Sequence, residues 1–341
     1  MKKNLKKLDT KFSKKIDKLL KVKKIKNGFK VLDLFSGCGG MALGFEAIGF
    51  KTIGYDNNKD CCLTYEENLN SKCFNLDLNK TNIVEKTDVV IGGPPCQPFS
   101  VGGLQKGILD SRDGFPAFLK TIQKVKPKLF IIENVRGLLY KNKWYLDKII
   151  NFLFKLNYKI DYQLVNMSEY LVPQNRQRLI IVGYKNSFEF PKKSLQKISA
   201  EDVLGNYFDY APEQSKYLTK SMDNYIKKYE TASKCINPRD LKKKEPSRTL
   251  TCRNLAGSTS DMMRIKLKNG KRRKLFIREA ARLQTFPDWF NFCGSEQSQF
   301  YQIGNSVPPM YSYQLALKVL DCLTNKNKKI IRSVRFQPSF L

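Results

Sequence analysis

Short apolar runs recur along the first 184 residues, and this recurrence limits the chain to few folds. Lys30-Val31-Leu32-Asp33-Leu34-Phe35, Lys51-Thr52-Ile53-Gly54-Tyr55, Asp88-Val89-Val90-Ile91 and Leu129-Phe130-Ile131-Ile132 each read as a strand. Helical stretches around Asp60–Leu69 and Phe115–Val125 lie between them. Tyr158–Val165 and Leu179–Gly183 add a closing strand pair. A βα series of this kind predicts an α/β fold, a doubly wound sheet with helices on both faces. Such sheets bind ligands beyond the carboxyl ends of their strands. The residues that end each run are therefore the candidate site.

The first run enters Phe35-Ser36-Gly37-Cys38-Gly39-Gly40, and Met41 opens a helix. Glycines admit a ligand close to the backbone, and a helix N-terminus offers N–H groups. The spacing is not the GxGxxG of a dinucleotide site. The second run ends at Asp56, placed to accept from ribose hydroxyls. A further short strand leads to Asp77, placed to receive an adenine amino group. Either acid alone reads as a loop or cap carboxylate. At successive strand ends the two together read as a site.

The fourth run stops in Gly92-Gly93-Pro94-Pro95, and Cys96 follows directly. The prolines fix the turn and hold a thiol at a strand end. Thiolate is the nucleophilic form of cysteine; the plain alternative is an inert small residue filling a turn. Glycines on both sides of a polar stretch over 101–114 suggest a mobile lid. Glu133 ends the fifth run beside the fourth, where partial desolvation would raise its pKa. The alternative is a salt-bridged acid in the sheet rim. Arg176 and Arg178 alternate in an extended segment and so share one side. A guanidinium there could grip a base or a phosphate with its planar fork.

Composition narrows the chemistry. The chain has no histidine, which excludes Ser-His-Asp and Cys-His nucleophiles and His-ligated zinc. No metal site is expected. Nine cysteines without a CxxC pair fit reduced thiols in a cytosol. No apolar run approaches the roughly 20 residues of a membrane span, and no secretory signal opens the chain. The net charge of +31 points to a polyanion such as nucleic acid, or in part to lysine loaded on every solvated face. Residues 1–27 form a lysine-rich extension with Leu5, Leu8, Phe12, Ile16, Leu19 and Leu20 at helical spacing. That helix lies on phosphates or packs its apolar stripe on the domain; both readings stand. Residues 28–184 make the first domain. Residues 185–277 lose the βα rhythm and carry Pro246–Asn254 and Lys271-Arg272-Arg273-Lys274, an irregular nucleic-acid-reading domain. Helical character returns in Arg278–Gln284, and Gln302–Pro309 opens a last helix near Met310–Leu323, so that 278–325 rejoin the first domain before a basic tail at 326–341.

These residues, in this order, resemble the DNA cytosine-5 methyltransferase family along most of the chain. Phe35-Ser36-Gly37-x-Gly39-Gly40 is similar to its S-adenosylmethionine loop, and Pro94-Pro95-Cys96-Gln97 to its nucleophile motif. Glu133-Asn134-Val135, the Gln174-x-Arg176-x-Arg178 run, Arg278–Gln284 and Gly304-Asn305-Ser306-Val307-Pro308 match later motifs. The gap at 185–277 matches a target-recognition domain.

The resemblance implies a doubly wound S-adenosylmethionine-dependent sheet with a smaller, irregular target-recognition domain. It implies Cys96 as the nucleophile at cytosine C6, Glu133 at N3 and the exocyclic amine, Arg178 at O2 and Arg176 in support. Phe35, Ser36, Gly37, Cys38, Gly39, Gly40, Asp56, Asn57, Asp77, Leu78, Pro94, Asn305 and Ser306 would line the cofactor. DNA would meet Ser100, Gln105, Arg112, Arg248, Thr249, Thr251, Arg253 and Asn254, with Arg253 and Asn254 as base readers. The partner implied is double-stranded DNA, with a restriction endonuclease as a genetic partner of a monomer in the cytoplasm. Two positions depart from the family: Asp56 stands where Glu is usual, and Asn57 where an apolar residue stacks on adenine. Three rivals remain. A tRNA-directed member shares the core, an inactive DNA-binding regulator would lose Cys96, Glu133 or the arginine pair, and a nicotinamide oxidoreductase would need GxGxxG.

Overall fold

The computed structural model describes residues 9–24, 26–95, 113–209, 211, 215–232, 239–257 and 261–324. Strands β1 (Lys30–Leu34), β2 (Lys51–Asp56), β3 (Cys73–Asn75), β4 (Val89–Gly92), β5 (Leu129–Val135), β6 (Lys159–Asn166), the two-residue β7 (Gln174–Asn175) and β8 (Gln177–Tyr184) follow in chain order. All but β7 form one seven-stranded sheet in the order β3-β2-β1-β4-β5-β8-β6. The pairs from β3 to β5 are parallel, and β8 runs antiparallel between β5 and β6. The doubly wound α/β expectation holds.

The alternation of side chains along each strand builds two cores. Val31, Val89, Ile91, Leu129 and Ile131 face helices α1 (Lys11–Leu19), α2 (Gly40–Glu46) and, beyond the recognition segment, the last helix of the chain. Leu32, Leu34, Val90, Phe130 and Ile132 face α4 (Phe115–Val125) and α5 (Lys143–Lys155) on the opposite side. Both faces are covered, so the strands read as unbroken apolar runs. Helix α3 (Lys59–Asn68) packs Cys62 and Tyr65 into a third cluster. The sequence reading passes over α5, although Tyr145, Leu146, Ile149 and Leu153 recur at helical spacing and are all buried.

Register sets the functional edge. Leu34 pairs with Tyr55 and with Gly92, and Gly92 pairs with Ile132. The shared pairing of β1, β2, β4 and β5 therefore stops level, and Phe35, Asp56, Gly93 and Glu133 follow at one height, although β2 runs on through Asp56 and β5 through Val135. Because β8 is antiparallel, it begins where β5 ends, and Val135 pairs with Arg178.

Helix α1 packs its apolar stripe on the domain for the residues described. Thr10 caps it in a reciprocal bond pair with Ser13. Ile16 and Leu20 are buried, Asp17 accepts from Asp288 N at 2.6 Å, and its carbonyl accepts from Trp289 Nε1 at 3.2 Å. The helix is packed on the domain with Lys11, Lys14, Lys15 and Lys18 outward. Leu5 and Leu8 lie outside the described residues.

The 185–277 segment holds α6 (Ala200–Leu204), α7 (Lys220–Ala232), β9 (Ser247–Arg248), α8 (Cys252–Ala256) and the hairpin β10 (Arg264–Lys266) with β11 (Arg272–Lys274). Strand β9 pairs with β7. After it come α9 (Ile277–Leu283), α10 (Glu296–Asn305) and α11 (Pro309–Thr324). The segment shares the third cluster with the sheet side: Ile198, Leu204, Leu250 and Ile265 pack with Leu43 and Tyr65. Several arginines of this basic segment are internal. Arg264 and Arg272 both pair with Asp240, and Arg273 is fully buried against Glu279 at 2.6 Å. A buried cation needs a carboxylate partner, and α7, α9 and Asp240 supply it.

Candidate functional site

A cleft of about 1030 Å³ runs along the carboxyl edge of the sheet. At one end lies the glycine turn. Phe35 adopts φ 54° as β1 leaves the sheet, and the chain turns under Ser36 and Gly37, which line the cleft. Gly39 adopts φ 87°, and a Cβ there would stand 2.8 Å from Tyr65 Cδ2. At Gly40 a Cβ would stand 2.6 Å from Val307 O, so glycine permits α2 to start against the 306–307 segment. Gly40 reaches the cleft wall; Cys38 and Gly39 stand behind it. The Cys38 thiol lies 3.0 Å from Ser306 Oγ, and burial pushes its pKa up to about 12.

Asp56 organises the turn. Its Oδ2 accepts from Gly37 N at 2.8 Å and its Oδ1 from Asn58 N at 2.9 Å. Burial raises its pKa above the ordinary carboxylate value. Asn57, Asp77 and Leu78 line the same wall, Asn57 exposed and Asp77 accepting from Asn79 N at 3.0 Å. Asn305 and Ser306 form the facing wall.

Asp33 was not singled out from sequence. It is 1% exposed and lines the cleft, its Oδ2 has no hydrogen-bond partner, and burial and the nearby Asp56 raise its pKa well above normal. The only signal was a carboxylate inside an apolar strand. An unpartnered buried carboxylate facing a cleft is a place for a cation.

At the other end β4 runs into Gly93, Pro94 and Pro95, all lining the cleft. Pro94 O accepts from Asn134 Nδ2 at 3.0 Å. Cys96 lies outside the described residues, as do Ser100, Gln105 and Arg112 and the lid expected over most of 101–114. Glu133 is 8% exposed. Its Oε1 lies 3.0 Å from Arg178 Nε, a close ion pair whose angle falls short of a hydrogen bond. Arg178 also donates Nη1 to Gln177 O at 2.8 Å. Arg176 is 1% exposed; its Nη1 donates to Leu250 O at 2.8 Å and Gly304 O at 3.2 Å. Burial, then the Arg178 charge, lowers its pKa to about 9. Both arginines line the cleft as their alternation predicts.

The motif residues without an assigned role form the frame. Gln174 Nε2 donates to Gln284 Oε1 at 2.5 Å, and Gln174 Oε1 accepts from Leu250 N at 2.9 Å. Gln284 Nε2 donates in turn to Ile303 O and Ser306 O. A buried amide relay thus ties three distant segments to the cleft. Arg278 donates to Pro287 O and Phe290 O, and Arg282 pairs with Asp288.

The expected base readers are divided. Arg248 Nη1 donates to Asp261 Oδ1 at 2.9 Å, and its Nη2 donates to Asp261 O. Thr249 Oγ1 donates to Asn175 O at 2.7 Å. Thr251 lines the cleft and caps α8. Asn254 is 2% exposed; its Oδ1 accepts from Thr251 N and its Nδ2 donates to Thr249 O. The expectation that Asn254 reads a base edge therefore gives way to helix capping, because its amide is already bonded inward. Arg253 is exposed.

Among the described residues no helix is long and apolar enough to cross a membrane. A family model for C-5 cytosine-specific DNA methylase matches residues 29–321. The chain is 51% identical over 306 residues to the Type II methyltransferase M.AplI of Arthrospira platensis, covering 89% of this chain and 88% of that protein. It is 32% identical to the Type II methyltransferase M.FnuDI of Fusobacterium nucleatum, covering 91% and 99%. In fold it is similar to the Entamoeba histolytica methyltransferase EhMeth, with TM-score 0.67 at 20% identity over 88% of this chain and 99% of that one.

Proposed function

The chain belongs to the C-5 cytosine-specific DNA methylase family and is a DNA cytosine-5 methyltransferase, and from that premise we propose that it methylates a cytosine turned out of duplex DNA, using S-adenosylmethionine and a covalent bond to Cys96. The observation that carries this is the Glu133–Arg178 pair beside Arg176 and Pro94–Pro95 in one cleft. The Type II names of M.AplI and M.FnuDI support a restriction-modification setting, with a cognate endonuclease as genetic partner. In that setting the enzyme works in the cytoplasm on nucleoid DNA.

The glycine-turn end of the cleft fits the cofactor. Asp33 offers an unpartnered carboxylate to a cationic group, and Gly40 lets α2 start tight against Val307 so that the turn lines the cleft. Asp56 and Asp77 carry lone pairs for hydroxyl and amino donors, with Phe35 and Asn305 as walls. S-adenosylmethionine, when bound, supplies a methyl group activated by its sulfonium charge. The protein's part is to make cytosine C5 a nucleophile.

Inside a stacked duplex C5 and C6 are inaccessible, so the base is extruded into the cleft. The Cys96 thiolate adds to C6, and the electron pair of the C5–C6 double bond moves into the ring. Glu133 holds N3 and the exocyclic amine, where that charge collects, by hydrogen bonding or by sharing a proton. Arg178 grips O2 with its fork and holds Glu133 in place. Arg176 donates to Leu250 and Gly304 carbonyls, and so keeps the recognition segment against the catalytic edge. Once C5 has spent its electron pair on a bond to the methyl group, a base removes the C5 proton, and that C–H pair re-forms the C5–C6 double bond as the thiolate leaves C6. No histidine enters any step, in keeping with a chain that has none.

The test is transfer of labelled methyl from S-adenosylmethionine to duplex DNA, followed by bisulfite sequencing, with Cys96→Ser alongside. Methylcytosine at one short motif, lost in the variant, is the expected result. Transfer to tRNA instead of DNA would overturn the reading, as would transfer that survives loss of the thiol.

A further inference from the structure

We infer that Tyr145, on α5 and outside every motif, is a positioning residue for the nucleophile turn. The inference rests on the covalent chemistry proposed for Cys96. The turn at Pro94–Pro95 has two weaknesses. Neither proline has an N–H, so this stretch cannot donate a backbone hydrogen bond to its neighbours. It also stands beyond the last paired residue of β4, Gly92. Its position is set by what its carbonyls accept.

Two donors do this. Asn134 Nδ2 donates to Pro94 O at 3.0 Å from the end of β5. Gly114 N donates to Pro95 O at 3.0 Å from the start of α4. The second contact is close: a Cβ on Gly114 would stand 2.5 Å from Pro95 Cδ and 2.8 Å from Phe35 Cζ. Residue 114 thus clamps the residue immediately before Cys96, and touches the glycine turn as well.

Gly114 is held by its neighbour. Asp113 is 5% exposed, and its Oδ1 accepts from Phe115 N at 3.1 Å, which ties it to the first turn of α4. Its Oδ2 accepts from the Tyr145 hydroxyl. Tyr145 is 6% exposed, and its ring packs edge-on against Phe115 with centroids 5.7 Å apart. One side chain therefore fixes both the carboxylate before Gly114 and the ring after it. The bond to Asp113 is shielded from water, where a hydrogen bond is electrostatically stronger. The path runs from Tyr145 through Asp113 and Gly114 to Pro95, and ends one residue from the thiol.

This assigns a function to a helix that carries no motif residue. Tyr145 touches no reacting atom, so its loss should slow the covalent step and leave ligand binding intact. The variant is Tyr145→Phe, which keeps the ring packing and removes only the hydroxyl.

The assay is the rate of covalent capture on long duplex DNA in which 5-fluorocytosine replaces cytosine, so the target motif need not be known. Fluorine at C5 cannot leave as a proton does, and the adduct accumulates. We expect Tyr145→Phe to capture about tenfold more slowly, since small displacements of a reacting group carry penalties of this size. KM for DNA and affinity for S-adenosylmethionine should stay at the wild-type values. Asp113→Asn keeps one acceptor oxygen, enough for Phe115 N or for the tyrosine but not both, so it should fall between wild type and Asp113→Ala. Tyr145→Phe combined with Asp113→Ala should be no slower than Asp113→Ala alone, because both act through one path. Capture by Tyr145→Phe at the wild-type rate overturns the inference. So does a fall in DNA or cofactor affinity that accounts for the whole effect. No capture by the wild-type protein would overturn the covalent reading itself, and this inference with it.

Discussion

Gly304→Ala tests whether the cleft is held together by backbone contact between α8 and α10. A Cβ at Gly304 would stand 2.3 Å from Cys252 N, 2.6 Å from Thr251 C and 3.0 Å from Cys252 Cα. All three are backbone atoms, so no change of rotamer relieves the overlap. To reach ordinary contact the elements must part by about 1 Å. Overpacking of this kind costs about 1–3 kcal/mol, at the upper end where backbone faces backbone. The same shift stretches Arg176 Nη1 away from Gly304 O, now 3.2 Å, and strains its 2.8 Å bond to Leu250 O. A buried donor left unpaired adds about 1–3 kcal/mol. Alanine's better helix propensity returns about 1 kcal/mol. The net expectation is a loss of about 3 kcal/mol, a fall in Tm of about 4 °C in a chain of this size. Activity should fall further than stability alone explains, about 10²-fold in kcat, because Gly304, Thr251 and Arg176 all line the cleft. Thermal unfolding and methyl transfer measured side by side read both effects. Gly28→Ala is the control: φ is 72° with nothing within 4 Å, so it should show backbone strain of about 1–2 kcal/mol and no change in kcat. A Gly304→Ala enzyme that melts and methylates as wild type would refute the reasoning.

Two further substitutions probe buried charge. Arg273→Leu leaves Glu279, which is 0% exposed, without its partner, so unfolding should become easier by about 3–5 kcal/mol; adding Glu279→Leu should recover most of it in a chemical-denaturation series. Asp33 has a folded pKa raised well above its ordinary 3.8 by burial, then by Asp56, so its contribution to stability is full below 3.8 and is lost as pH rises through the folded value. Asp33→Asn should therefore melt above wild type near neutral pH without cofactor, and the difference should vanish below 3.8, while calorimetry shows weaker S-adenosylmethionine binding; an equal shift at every pH would contradict this.

The candidate site was legible where chemistry sits on strand ends. Glu133, Arg176 and Arg178 were found because an apolar run ending in a carboxylate and an alternating arginine pair leave few placements. The recognition segment was less legible. Composition marks it as basic, but Arg264, Arg272 and Arg273 are internal counter-ions, and Arg248 is held by Asp261. A row of basic letters looks the same whether each cation faces phosphate or carboxylate. Asn254 shows the same limit, since only coordinates reveal that its amide is bonded to Thr249 and Thr251.

The sequence by itself determined the sheet, the two cores and the line of strand ends. These follow from local periodicity, which pairs each residue with neighbours two or four positions away. Only the tertiary structure decided which polar residues close the cleft. Arg176 meets carbonyls 74 and 128 positions away, and Gln174 meets Gln284 across 110. Nor could the strand pattern reveal that Asp33 lacks a partner or that Tyr145 anchors Asp113. The physical reason is range. Hydrophobic alternation is written along the chain, whereas a buried hydrogen bond depends on whichever distant segment supplies the other half.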